Sequence, residues 1–201
     1  LSLHDALPIY RMNIFGFMNF ASVDSSFEDS GYLGIKDQVA ALNWVKENIA
    51  EFGGNPDNVT IFGESAGSIA VMLLTITPTA KNLFGKAITQ SGHVGFYNNP
   101  EKSAELAEMF MNFSGAKKIG DLMKKSTDEL KNIYEKLSEA RGFGLGDYLP
   151  TCDGKFLPRD PFKALKNGAA RGIKFLTGSM ADEWRVFLVG ENFFEIFLYL
   201  P

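Results

Sequence analysis

The sequence predicts an α/β fold with a mostly parallel central sheet and helices on both faces. Three observations carry this: strand-like and helix-like segments alternate from Tyr10 onward, three short β-rich runs each end at a glycine-bearing loop, and the segments between them show helical periodicity. In chain order, Val39, Leu42, Val45 and Ile49 are spaced by three or four residues and predict one apolar helical face between Gly34 and Gly53. Gly53-Gly54 ends that helix. After the turn Asn55-Pro56-Asp57, Val59 to Phe62 predicts a strand buried on both faces, which delivers the chain into Gly63. A helix is expected from Ala66 to about Thr75. Lys86 to Gln90 and Ile173 to Thr177 predict two more strands, ending at Ser91-Gly92 and Gly178. Between about 100 and 145 the pattern turns helical, with Leu106, Phe110 and Phe113 on one stripe and Leu130, Ile133, Tyr134 and Leu137 on another. Ser126 and Glu129 form a capping box before the second stripe. These aromatics read as core, and the helices as an insertion above the sheet.

Residues 1–9 (LSLHDALPI) do not blend into this pattern and resemble translated adapter read-through, so they are set aside as a foreign leader. Residues 10–201 are expected to form part of one domain. A net charge of -4, with no Lys/Arg run longer than two, offers no footprint for phosphates and excludes nucleic acid as the expected partner. Cys152 is the single cysteine, so no internal disulfide can form; a reducing compartment such as the cytoplasm fits, and secretion stays open. Phe193 to Leu200 is too short to span a bilayer, which takes about 20 apolar residues. Asn58-Val59-Thr60 is a glycosylation sequon in form, but it overlaps a strand expected to be buried.

The chemistry concentrates in Gly63-Glu64-Ser65-Ala66-Gly67, a G-x-S-x-G pattern between an expected strand and an expected helix. The serine sits on a sharp strained turn where side chains two residues to either side would collide, and glycine at Gly63 and Gly67 removes the collision. That turn exposes the Ser65 hydroxyl as a nucleophile. It also aims the N–H of Ala66, near a helix N-terminus, at a developing oxyanion.

The stretch GYLGIKDQVAALNWVKENIAEFGGNPDNVTIFGESAGSIAV is similar to the signature region of the type-B carboxylesterase family, which includes cholinesterases and bacterial para-nitrobenzyl esterases. The resemblance continues through Ile88 to Gly92, Pro150 to Gly154, Phe156 to Pro158 and Gly178 to Glu183, thinning from 100 to 145. It implies an α/β-hydrolase fold, incomplete at both ends. It further implies Ser65 as nucleophile, Glu183 as the triad acid, Ala66 in the oxyanion hole, and supporting roles for Glu64 and Ser91. The family's histidine lies downstream of its glutamate and its glycine-rich oxyanion loop lies upstream of Tyr10, so both are expected outside this chain. His4 falls in the leader, and His93 precedes Glu183 and reads as an ordinary loop residue. Two residues depart from the family pattern: Trp184 stands where glycine commonly follows the glutamate, and Ile9 where asparagine precedes Tyr-Arg.

The implied activity is hydrolysis of a small-molecule carboxylic ester through an acyl-enzyme, with no metal or organic cofactor. Two alternatives stay open: a non-catalytic cholinesterase-like binding module, and another α/β-hydrolase activity such as a thioesterase or lipase. Glu64 has an equally good structural reading as an acid beside a helix N-terminus, and Ser91-Gly92 as a turn ending a strand. Asp153-Gly154 reads as a tight turn and Cys152 as inert.

Overall fold

A computed structural model describes residues 10–141 and 148–183. Among the described residues, three parallel strands form the sheet: β1 (Thr60–Glu64), β2 (Lys86–Gln90) and β3 (Lys174–Gly178), in the order β1-β2-β3. Their register puts Ile61, Ala87 and Phe175 in one row, and Phe62, Ile88 and Leu176 in the next. Neighbouring rows face opposite sides of the sheet. On the first side, helix α3 (Ala66–Ile76) packs over β1 and β2 and buries Ala70, Leu73 and Leu74. This is the crossover that a parallel pair requires. On the other side, Phe62 is 55% and Leu176 65% exposed. The run Val59 to Phe62 was expected to be buried on both faces, which does not hold for β1, and β3 is likewise open. Each is an outer strand among the described residues, with one neighbour instead of two, and β3 is exposed along its whole length.

The expected helix near 34–53 forms as α2 (Leu33–Asn48), continued by a 3-10 turn and closed at Gly53, whose φ of 78° is the left-handed conformation that favours glycine. Val39 and Leu42 are buried in the main core with Tyr32, Ile35, Leu73 and Leu157. The helical stretch forms α4 (Pro100–Ser114), α5 (Ile119–Leu122) and α6 (Thr127–Arg141). Leu106, Phe110, Leu122 and Leu137 make a second core cluster, with Ile14 and Met18 of the N-terminal segment. Phe113 is 45% exposed, and Ala107 and Met111 take the inner face of α4 instead. The capping box forms as expected, with Ser126 N–H donating to Glu129 Oε2 at 2.7 Å and Glu129 N–H donating to Ser126 Oγ at 3.2 Å.

Two short helices complete the described chain, α1 (Asn13–Phe17) and α7 (Pro161–Lys166). Asp153-Gly154 is a turn, with Asp153 Oδ1 accepting from Lys155 N–H at 2.8 Å and Gly154 at φ 86°. The steric exclusion of a glycan at Asn58 does not hold, because the residue is exposed in the turn before β1, where its Oδ1 accepts from Lys86 Nζ. Residues 1–9 and Trp184 lie outside the described residues. Among the described residues, no helix is long and apolar enough to cross a membrane.

Candidate active site

The strands run parallel, so their C-terminal ends gather on one edge of the sheet, where loops after all three meet. Ser65 stands between the last residue of β1 and the first of α3, exposed, with φ 52° and ψ -117°. That conformation is sterically disfavoured for any residue with a Cβ and costs on the order of 1–3 kcal/mol. A serine in the N-cap position ordinarily turns its hydroxyl back onto the helix. Here the backbone is not extended and no such capping bond forms, which leaves the hydroxyl for other chemistry. As the first residue of α3, Ala66 has an N–H with no intrahelical acceptor.

The expected collision of side chains on both sides of Ser65 is found at Gly63 alone. A Cβ on Gly63 would lie under 3.0 Å from the backbone of Gly67, whereas a Cβ on Gly67 would meet nothing within 4 Å. The collision is therefore one-sided: the first turn of α3 folds back over Gly63, and Gly67 itself has free space.

Beyond the sheet proper the ladder gains two further rungs. Ser65 N–H donates to Gln90 C=O at 2.9 Å, and Ser91 N–H donates to Gly178 C=O at 2.9 Å. Ser91 has φ 54°, a second strained serine on the adjacent strand end. Past Gly178, Glu183 is half-buried, and its Oε2 accepts from Met180 N–H at 2.7 Å, which folds the acid loop around its own carboxylate. Ser65 and Glu183 thus belong to the loops after β1 and β3, and those two strands lie two strand spacings apart, about 9–10 Å. Between β1 and β3, the end of β2 is bonded to Ser65 on one side and, through Ser91 N–H, to Gly178 on the other.

Glu64, the last residue of β1, is exposed. His93 is exposed in the loop after β2, with its Nδ1 accepting from Gly95 N–H at 3.1 Å and its ring 5.5 Å from that of Phe162. These contacts fit a loop-structuring histidine. Cys152 is fully buried, and burial pushes its thiol up to about 12, as suits an inert side chain.

A small apolar cavity of about 50 Å³ abuts Ala66 and Ile69 and is closed by Phe17, Ile35 and Leu149. A larger groove of about 670 Å³ lies between Ser22-Val23 and α4, and none of its lining residues belongs to the loops after β1, β2 or β3. Sequence reasoning placed Gly92 only in a turn ending a strand and gave Ser68 no part. A Cβ on Gly92 would lie 2.5 Å from Ser68 Oγ and 3.0 Å from Ser65 O, and the buried Ser68 hydroxyl has no hydrogen-bond partner among the described residues. The available signal was a Ser-Gly pair ending the strand adjacent to β1.

The model of the carboxylesterase family matches residues 7–193. Para-nitrobenzyl esterase of Bacillus subtilis (strain 168) is 38% identical over 188 residues, covering 91% of this chain and 38% of that protein. Carboxylesterase 1D of Rattus norvegicus is 36% identical over 204 residues, covering 92% of this chain and 35% of its own length. Among solved structures, Geobacillus stearothermophilus carboxylesterase EST55 superposes with a TM-score of 0.82 at 42% identity, over 90% of this chain and 38% of that one. A thermophilic PNB esterase superposes at 0.84 with 38% identity, over 91% and 38%. The chain therefore spans under two fifths of the length of these relatives.

Proposed function

The chain belongs to the carboxylesterase family, and from that premise we propose that it supplies the nucleophile and the acid of a serine hydrolase that cleaves small-molecule carboxylic esters. The observation that carries the proposal is Ser65, an exposed serine on a strained turn between a parallel strand and a helix, with its hydroxyl unused for capping. Ser65 Oγ attacks the ester carbonyl, and the tetrahedral oxyanion is stabilised by the N–H of Ala66 together with further backbone donors. Collapse expels the alcohol and leaves an acyl-enzyme, which water then hydrolyses. Glu183 orients the imidazole of the general base and stabilises its protonated form. Glu64 and Ser91 act as positioning residues beside this triad.

We assign the base to a histidine outside these 201 residues, since His93 is engaged by Gly95 N–H and packed near Phe162, and His4 lies outside the described residues. The helical stretch 100–145 is assigned as an insertion above the sheet. A single oxyanion needs only preorganised dipoles, so the mechanism calls for no cofactor. Removing one oxyanion donor ordinarily slows such a reaction about 100- to 1000-fold.

The test uses two preparations: the 201 residues alone, and the full reading frame that encodes them. In the second, a fluorophosphonate probe should label Ser65, and para-nitrophenyl ester turnover should vanish in Ser65→Ala. The first should turn over little ester. Labelling and turnover that persist in Ser65→Ala would overturn the assignment. A folded full-length protein that neither labels nor hydrolyses any ester would instead favour a binding module.

A further inference from the structure

The turn at Ser91-Gly92 packs directly behind the nucleophile. A Cβ on Gly92 would overlap both Cβ and Oγ of Ser68, the latter at 2.5 Å, and would press on Ser65 O at 3.0 Å. Ser65 O is no idle atom, because it accepts from Ile69 N–H at 3.0 Å in the first hydrogen bond of α3. Ser68 cannot swing away either: it is 0% exposed, and its Cβ is fixed to the helix backbone. The same turn is tied from the other side, through Ser91 N–H to Gly178 C=O and from Ser65 N–H to Gln90 C=O. A strained residue persists only where its surroundings over-determine it. Here the surroundings of Ser65 include a bare glycine face.

We propose that Gly92 is a positioning residue for Ser65: its missing side chain lets the turn after β2 seat against Ser65 C=O and Ser68, and that contact holds the elbow that aims the Ser65 hydroxyl. Ser68 sets the clearance. The consequence for catalysis rests on Ser65 being the nucleophile, whereas the geometry stands without it.

The test avoids any need for turnover. In the 201-residue chain, Ser65→Cys places an exposed thiol at the N-terminus of α3. The remaining cysteine, Cys152, is buried with its thiol pushed up to about 12, and stays silent at neutral pH. The alkylation rate by iodoacetamide as a function of pH then reports the elbow, because a thiol held at a helix N-terminus ionises below the ordinary value of about 8.5. Adding Gly92→Ala should slow alkylation at neutral pH about fivefold or more and move its midpoint back toward that ordinary value. Adding Ser68→Gly as well should restore the rate to within about twofold of the parent, while Ser68→Gly alone leaves it unchanged.

Parent-like alkylation in the Gly92→Ala variant would overturn the proposal, and so would a failure of Ser68→Gly to rescue it. Should Gly92→Ala not fold, the double variant decides: folded and parent-like supports the steric account, unfolded overturns it. Absence of ester hydrolysis in the full-length protein would refute the role of Ser65 and leave these rates untouched, so the two failures are separable.

Discussion

Ser65 joins function and instability in one residue. Its φ of 52° and ψ of -117° hold a side chain where L-residues rarely sit. Removing the Cβ should therefore relieve strain: Ser65→Gly is expected to raise the unfolding free energy of the described fold by about 1 kcal/mol, read as a higher urea midpoint at unchanged slope. Ser65→Ala keeps the Cβ and should not. An equal response in both variants would show that the elbow is not strained. At this scale the sequence was informative, because a serine flanked by glycines at two positions between a strand and a helix has few other uses. It placed Ser91 in a turn ending a strand but was silent on its strained backbone, a φ of 54° that follows from how the strand ends stack.

At the scale of elements, what was legible follows the length of the repeating pattern. α2, α4 and α6 each run 15 or 16 residues and show apolar positions at helical spacing, and β2 was placed at its observed bounds. α1, α5 and α7 have only five, four and six residues, too few turns for a stripe to repeat. α7 did carry a start signal in Asp160-Pro161, where Asp160 Oδ1 accepts from Lys163 N–H at 2.8 Å. The elbow glycines test how far motif logic goes. Gly63→Ala drives a methyl into the Gly67 backbone, a contact that cannot give way, and should destabilise by roughly 2–4 kcal/mol. Gly67→Ala, with open space around its Cβ, should be neutral or stabilising by up to about 1 kcal/mol, since alanine is the better helix former. Denaturation of the two variants side by side checks this, and equal losses would contradict the one-sided geometry.

For the whole molecule, ion pairs tie distant segments together on the surface. Arg11 holds the Asp37 carboxyl below its ordinary value through a bidentate contact, and Lys36 with Tyr32 does the same for Asp29. A carboxyl depressed on folding adds stability that is present above its unfolded value, about 4, and is lost as pH falls through the folded value. The urea midpoint should therefore drop on acidification from pH 6 to pH 3, and less steeply in Asp37→Asn. A slope unchanged by that substitution would remove Asp37 from the account.

The sheet makes the larger demand on the molecule. Its parallel order was readable from alternating runs, but the exposure of its outer strands was not, because burial depends on what lies across the sheet and not on the strand itself. The row Phe62–Ile88–Leu176 lies on the face away from α3, with Phe62 55% and Leu176 65% exposed, and β1 and β3 each have an unpaired edge among the described residues. Exposed apolar rows beside open strand edges are templates for association. The 201-residue chain is accordingly expected to self-associate as its concentration rises and to bind a hydrophobic dye. Phe62→Lys with Leu176→Lys should suppress both without unfolding α3, because neither side chain lies on the face that α3 covers. Light scattering and helix content measured on the same samples decide the matter. Association that survives both lysines would shift the cause from this face to the strand edges.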